Sequence, residues 1–556
     1  MTVMNTIFRL STLSLALAAS FPVLAQVAPD AGRVLQQTAP PPDAPRPGPA
    51  ITIEPPPAAP TQAGGAQVTL QAVSFGGNSV FTEAELRDVL GPVTGQTYDL
   101  AGLRTLAQRV RDHYAAAGYP FARAYLPPQS MADGRLRIEV VEGRYGKVQA
   151  IGDPALIATA DRFLSPLKPG EVIRSDRLER TTLLFDDLPG VKVAPIIRPG
   201  QEVGTGDLDV RVERTPGFAG EVGIDNHGNR FTGEHRVRAN LQFDSPFLLG
   251  DQITARLIYS DENLWLGSLG YSLPLGASGL RGNIGYAHTS YELGKNFASL
   301  DATGTAKVSS VGVSYPVIRS QRTNLTAAAT YQHKALNDRQ GVAGTDSDKS
   351  SESIPLALQF DHRDGFGGGG ITYGAVSYTA GRLTLDDSLK ATDISSGTDA
   401  RGHFDKWNLD LARVQALPAG FTLFGRVSAQ WAGKNLDSSE RLSLGGANGV
   451  RAYPNGEGNG DEGWLAQIEL RYALGAFSPY VFHDAGRVTI NADPGGITPA
   501  VTDNHHAIAG SGVGVRYQAN GWSVDANVAW RSHGGAPQSD SAERDPRAWV
   551  TVGYTF

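Results

Sequence analysis

The chain has no cysteine among its 556 residues. No disulfide framework can hold it, so its stability has to come from a large core or from a sheet closed on itself. Beyond residues 1–25 it also lacks an apolar run of the ~18 residues that a membrane-spanning helix needs. A basic excess is missing too: 49 Lys+Arg stand against 56 Asp+Glu, which argues against nucleic acid as a partner. Nucleotide chemistry finds no foothold. "GFGGGG" (365–370) has no Lys-Ser/Thr after it and no helix opening behind it. "GSGVG" sets Ser511 in an alternating stretch, away from any strand-to-helix elbow. His505 and His506 have no evident third ligand nearby and read as an exposed loop pair. These residues offer no catalytic, cofactor or metal site, and the expectation is a protein that is not an enzyme.

What is present begins with a leader. Residues 1–25 carry Arg9 as their sole charge, then "LSTLSLALAASFPVLA", closing on small residues, the form of a secretory signal peptide. Residues 26–66 are rich in proline and alanine and read as an extended linker. Within them "PDAGRVLQQ" (29–37), with Arg33, Val34 and Leu35, has helical character but is too short to hold a helix alone in water. Such a segment is either disordered or docked inside something else.

Residues 67–144 then run strand, helix, helix, strand, strand. Thr82 and Glu85 make a capping box, and Leu103, Leu106, Val110 and Tyr114 share one helical face. Residues 145–215 repeat the order more loosely. A tandem α+β unit suggests a modular arm rather than a single catalytic domain. After Pro216 helical periodicity vanishes, and residues 216–556 alternate with period two. In "WSVDANVAW" the apolar face Trp522, Val524, Ala526, Val528, Trp530 opposes Ser523, Asp525 and Asn527. Aromatics at both ends of an apolar face are the mark of a transmembrane antiparallel β-barrel, here of about 16 strands. Closure removes the sheet edges without disulfides. Polar stretches such as "NDRQGVAGTDSDKSSES", "TDISSGTDARGH" and "SHGGAPQSDSAERDP" read as long loops, and "SPFLLGD" as a short turn.

One segment resists the pattern. "GGANGVRAYPNGEGNGDEGW" (445–464) is too glycine-rich for helix or strand, yet holds Arg451 between Val450 and Tyr453. With "DNHGNRFTGEHR" (225–236), "FHDAG" (482–486) and the terminal Phe556, it makes the chain resemble the two-partner secretion transporters of the TpsB family, POTRA-containing outer-membrane barrels. The resemblance covers nearly all of the chain after the leader. It implies an outer-membrane exporter with two periplasmic POTRA domains and a barrel preceded by a plug helix. Its partners would be a secreted TpsA-like exoprotein, outer-membrane lipid and the barrel-assembly machinery.

The resemblance also assigns sites. The loop with Gly446, Gly449, Val450, Arg451 and Tyr453 would fold into the lumen and pair Arg451 with Asp484, beside Phe482. Arg33, Val34 and Leu35 would lie in the plug, and Tyr554 and Phe556 would be read during barrel assembly. Ala452 stands where the family usually has glycine, and its Cβ is expected to restrict the turn. Because Phe482 and Asp484 share a face, His483 is expected to point outward. Two other readings use the same architecture: an insertase for other barrels, and a passive porin with a periplasmic arm.

Overall fold

The computed structural model describes residues 28–38 and 66–556. The expected signal peptide, and the linker residues 39–65, lie outside the described residues.

The first α+β unit packs helices Glu83–Leu90 and Leu100–Ala116 on a sheet of Ala72–Gly76, Arg135–Val141 and Arg123–Tyr125, with Arg135–Val141 central. Thr82 and Glu85 close the capping box, and Asp99 caps the longer helix by accepting from Gly102 N. Leu103, Leu106, Val110 and Tyr114 are buried against Leu136, Ile138 and Val140. The first strand expected in that order, over residues 68–75, divides in two. Val68–Thr69 pairs with Thr97–Tyr98, and Ala72–Gly76 joins the main sheet. The break falls at Leu70, whose fully buried side chain turns the backbone toward Gln96 and Gly95.

The second unit repeats the order: Arg144–Gly152, helices Pro154–Leu164 and Ser175–Asp186, then Val191–Pro199 and Thr205–Arg214. In both units the first and last strands pair in parallel, with the last strand central.

The two units are joined at a buried carboxylate. Glu142 is 4% exposed and accepts from Ser79 N, Ser79 Oγ, Val80 N (2.7 Å) and the Tyr114 hydroxyl (3.1 Å). Arg144, which opens the second unit, reaches it at 3.1 Å. Burial alone would raise its pKa, but the hydroxyl and amide donors hold it below the ordinary 4.5. A depressed folded value means the stabilisation is complete above the unfolded value and lost as pH falls through the folded one. Amides of Ser79 and Val80 are therefore expected to lose hydrogen-exchange protection below about pH 4. Glu142→Gln should cost about 1–3 kcal/mol and remove that acid dependence; an unchanged acid dependence in the variant would count against Glu142 as its source.

Residues from Phe218 onward form a closed antiparallel barrel of sixteen strands, from Phe218–Asp225 to Arg547–Thr555. The last strand closes on the first, Thr551 facing Asp225 and Thr555 facing Glu221. The apolar faces point outward: Val237 is 59% exposed and Leu257 52%. Ring pairs Phe218–Phe243, Phe421–Tyr472, Phe477–Tyr517 and Trp522–Tyr554, at 4.8–5.0 Å, girdle the end with short turns. Trp407, Trp431, Trp464 and Trp530 mark the other girdle. The second α+β unit sits against the short-turn end, where Arg319 grips Asp187 through two bonds of 2.7 Å and Ser245 Oγ donates to Pro189 O.

Three expectations about the barrel wall need correction. "NDRQGVAGTDSDKSSES" is mostly wall, not loop: strands Thr323–Gln340 and Thr345–Asp364 run through it and turn over residues 341–344. Sheet hydrogen bonding continues past the apolar band, where both faces can be polar. Helical structure does not vanish after Pro216, because Asp387–Ser396 forms a helix capped by Asp386 and ended by left-handed Gly397 (φ 70°). His505 and His506 open the strand His505–Ala519, and His506 lies 3.0 Å from buried Glu457, so the two are not an exposed loop pair.

Candidate functional site

The glycine-rich loop, residues 433–461, leaves the wall after Phe421–Ala432 and returns at Glu462–Tyr472. Its apolar residues explain where it goes. Leu444, Val450, Ala452 and Tyr453 are fully buried against Leu465, Tyr480, Phe482, Val488, Ile508 and Ala529. Two glycines permit the fold. Gly446 has φ 115°, and a Cβ on Gly449 would collide with the Leu444 carbonyl.

Arg451 is the centre of this cluster and only 4% exposed. Its Nε and Nη2 donate to the two oxygens of Asp484 at 2.8 and 2.7 Å, and its backbone N reaches the same carboxylate at 3.1 Å. Nη1 donates to Glu469 at 2.7 Å, and the guanidinium lies 3.5 Å above the Phe482 ring. The Arg451 carbonyl accepts from Trp549 Nε1 at 2.7 Å. The Tyr453 hydroxyl reaches the carbonyls of His533 (2.7 Å) and Gly535 (3.0 Å). The structure thus brings Arg451, Asp484, Phe482, Tyr453, Val450, Gly446 and Gly449 into one assembly.

Glu469 was not foreseen. Alternation in Glu462–Tyr472 places it toward the lumen, but nothing local says that Arg451, Arg471 and Arg516 all meet on it, at 2.7, 2.7 and 3.0 Å. Arg516 continues the network to Asp525 at 2.6 Å, over the Tyr480 ring.

Ala452 does not strain the turn. It is not among the residues with positive φ, and its Cβ packs where Gly510 has no side chain. His483 does point outward, as its place beside inward Asp484 requires, and its ring nitrogen is hydrogen-bonded to Ser511 Oγ on the neighbouring strand at 2.8 Å.

Residues 31–37 form a helix, Ala31–Gln37, inside the barrel. Seven residues cannot sustain a helix in water, so the lumen supplies the missing stability. Asp30 caps it through Arg33 N (2.9 Å) and is itself held by Ser438 Oγ (2.6 Å) and Lys349 Nζ (3.3 Å). Ala31 N donates to Asp338 at 2.9 Å. Ala31 and Val34 bury against Phe231, Ile258, Tyr291 and Leu336, with Leu35 partly buried beside them; Arg33 is half-buried. Gly32 lies so close to Ser438 and Ser439 that a Cβ would clash, so helix and loop touch directly.

At the seam, Phe556 exchanges backbone hydrogen bonds with Gly220 at 2.9 and 3.1 Å, and its exposed ring sits 5.7 Å from Phe218. Tyr554 lies on the same outward face, paired with Trp522. The hairpin residues Asp225 and Arg236 form an ion pair at 2.8 Å, and Asn229 reaches across to Asn455 O of the inward loop at 3.1 Å.

A sixteen-stranded barrel closed around a tethered helix and an inward loop, with two α+β units at one rim, defines an outer-membrane transporter of the POTRA-bearing class. The chain matches the family described as haemolysin secretion/activation protein ShlB/FhaC/HecB over residues 204–517, and the ShlB-type POTRA domain over residues 68–143. It belongs to that family, which places the barrel in the outer membrane and the POTRA units in the periplasm.

It is 29% identical over 413 residues to the heme/hemopexin transporter protein HuxB of Haemophilus influenzae, covering 72% of each chain. It is 25% identical to the outer membrane transporter CdiB of Dickeya dadantii, over 87% of this chain and 85% of that protein. The solved structure of CdiB from Escherichia coli shares the fold with a TM-score of 0.72 at 21% identity, covering 92% of this chain and 94% of the other.

Proposed function

We propose that this transporter recognises an unfolded exoprotein through its periplasmic POTRA units and passes it outward through the barrel, gated by the helix Ala31–Gln37 and the Arg451 loop. The observation that carries the reading is the way the lumen is closed. Both obstructions are held by side-chain contacts that can be undone without breaking the wall: Asp30 to Lys349 and Ser438, and Arg451 to Asp484 and Glu469. A passive porin has no use for two such holds.

The energy for export comes from the cargo. An extended chain adds a strand to a POTRA edge or lies in its groove, the helix withdraws, the loop shifts, and folding outside prevents return. Tyr554 and Phe556 present the final strand to the barrel-assembly machinery, and the outward apolar face meets outer-membrane lipid.

The test is secretion of a co-expressed partner exoprotein with and without this protein. The partner is expected in the medium only when the transporter is present. Equal release in its absence overturns the reading, and a fall in other outer-membrane barrels on its depletion would favour the insertase instead.

A further inference from the structure

The first barrel strands carry an unbalanced positive charge toward the lumen. Arg236 and Arg238 alternate on one face of Arg236–Asp244, and Arg256 stands on the same side of Gln252–Ser260. Arg238 is opposite Ile258 and Arg256 opposite Asn240, so Arg238 and Arg256 are diagonal neighbours. Such diagonals are about 7–8 Å apart, within reach of long side chains.

Two carboxylates serve the three cations: Asp225 holds Arg236 at 2.8 Å and lies 3.7 Å from Arg238, and Glu221 holds Arg238 at 2.9 Å, where Arg238 also donates to Thr551 Oγ1 at 3.1 Å. Among the described residues the Arg256 guanidinium makes neither a hydrogen bond nor an ion pair, its backbone being held in the sheet, and Arg238 Nε is buried with Asp225 Oδ2 3.7 Å away, beyond hydrogen-bonding distance. The three line a lumenal cavity of about 320 Å³. The other arginines of that cavity are all paired, Arg426 with Asp410 at 2.6 Å, Arg451 with Asp484 at 2.7 Å and Arg516 with Glu469 at 3.0 Å. Arg256 also borders the adjoining cavity of about 930 Å³, beside Leu35, Gln36 and Thr38 at the end of the lumenal helix.

An unpaired guanidinium beside a second one is unfavourable in a partly dry lumen. The partner that suits its planar fork is an oxyanion. We infer that Arg256, with Arg238 beside it, is an oxyanion-binding site on the transport path. It takes carboxylate side chains of a polypeptide in transit, and small oxyanions when none is passing. Only the transit role rests on the export reading; the affinity for oxyanions does not.

The test uses the full-length protein in planar bilayers, with Arg256→Gln and Arg256→Lys, each shown to be folded by its heat-modifiable migration on gels. Inorganic phosphate and a glutamate decapeptide are added separately to the periplasmic side at constant ionic strength. Block of the current by both is expected in the parent protein, weakened about tenfold in Arg256→Gln and less in Arg256→Lys, which keeps the charge and loses the fork. In a potassium chloride gradient the reversal potential of Arg256→Gln should move toward cation preference. Equal block of parent and Arg256→Gln overturns the site. Block by phosphate but not by the peptide overturns the transit role. No exoprotein enters these recordings, so a negative result leaves the export reading standing, and a failure of export leaves the site standing.

Discussion

Arg451→Ala is expected to abolish export and to weaken the barrel itself. The guanidinium is the shared counter-charge of two carboxylates that water hardly reaches, Asp484 at 0% and Glu469 at 3% exposure. Removing one partner of a buried pair costs about 3–5 kcal/mol, chiefly because the charge left behind is uncompensated. Arg471 and Arg516 still serve Glu469, whereas the side-chain donors of Asp484 are all lost.

Arg451→Lys should rescue little. An ammonium cannot bridge Asp484 and Glu469 while lying flat on the Phe482 ring. The sharper test exchanges the charges, Arg451→Asp with Asp484→Arg. A two-body lock would be restored by the exchange. The present geometry argues against it, since the exchange takes from Glu469 the guanidinium that meets it at 2.7 Å and leaves a short carboxylate on the loop in its place. Export and heat-modifiable migration should both remain impaired, and full rescue by the exchange would refute the three-body account.

Deleting residues 29–37 is expected to raise the steady conductance of the barrel several-fold. Gln36 and Gln37 stand between lumenal cavities of about 320, 610 and 930 Å³. Without the helix those spaces join along the wall. Lys349→Ala should mimic part of the effect with the helix still present. It leaves Asp30 and Asp437 without the ammonium that lies 3.3 and 2.8 Å away. Each ~1.4 kcal/mol lost from the docked state raises the undocked population about tenfold. Single-channel recording separates the two variants, one permanently open and the other opening more often. A deletion that leaves conductance unchanged would remove the helix from the gate.

Much of this was legible because it is local. The capping box of Thr82 and Glu85 needs three residues of separation, and alternation in Trp522–His533 needs two. Outward His483 follows from inward Asp484 by the same rule. Strand length was not legible. In Thr345–Asp364 the apolar alternation ends well before the hydrogen bonding does. The helix Asp387–Ser396 was hidden in a polar stretch with no apolar stripe to announce it. His506 looked exposed because Glu457 is 49 residues away.

By itself, then, the sequence determined the broad plan: two α+β units, an alternating sheet long enough to close, and a glycine-rich loop free to turn, whose inward course came only from the resemblance. The Arg451–Asp484 pair was expected from resemblance to a family, since no local rule joins residues 33 apart. The tertiary structure alone decided that Arg451 is shared with Glu469, that Gly510 makes room for Ala452, that Ser438 and Lys349 hold Asp30, and that the Arg256 guanidinium is left without a hydrogen bond or ion pair. Period and composition act between neighbours along the chain. These contacts depend on the register of a closed barrel and on how far a loop reaches across it, and both are set only when the last strand meets the first.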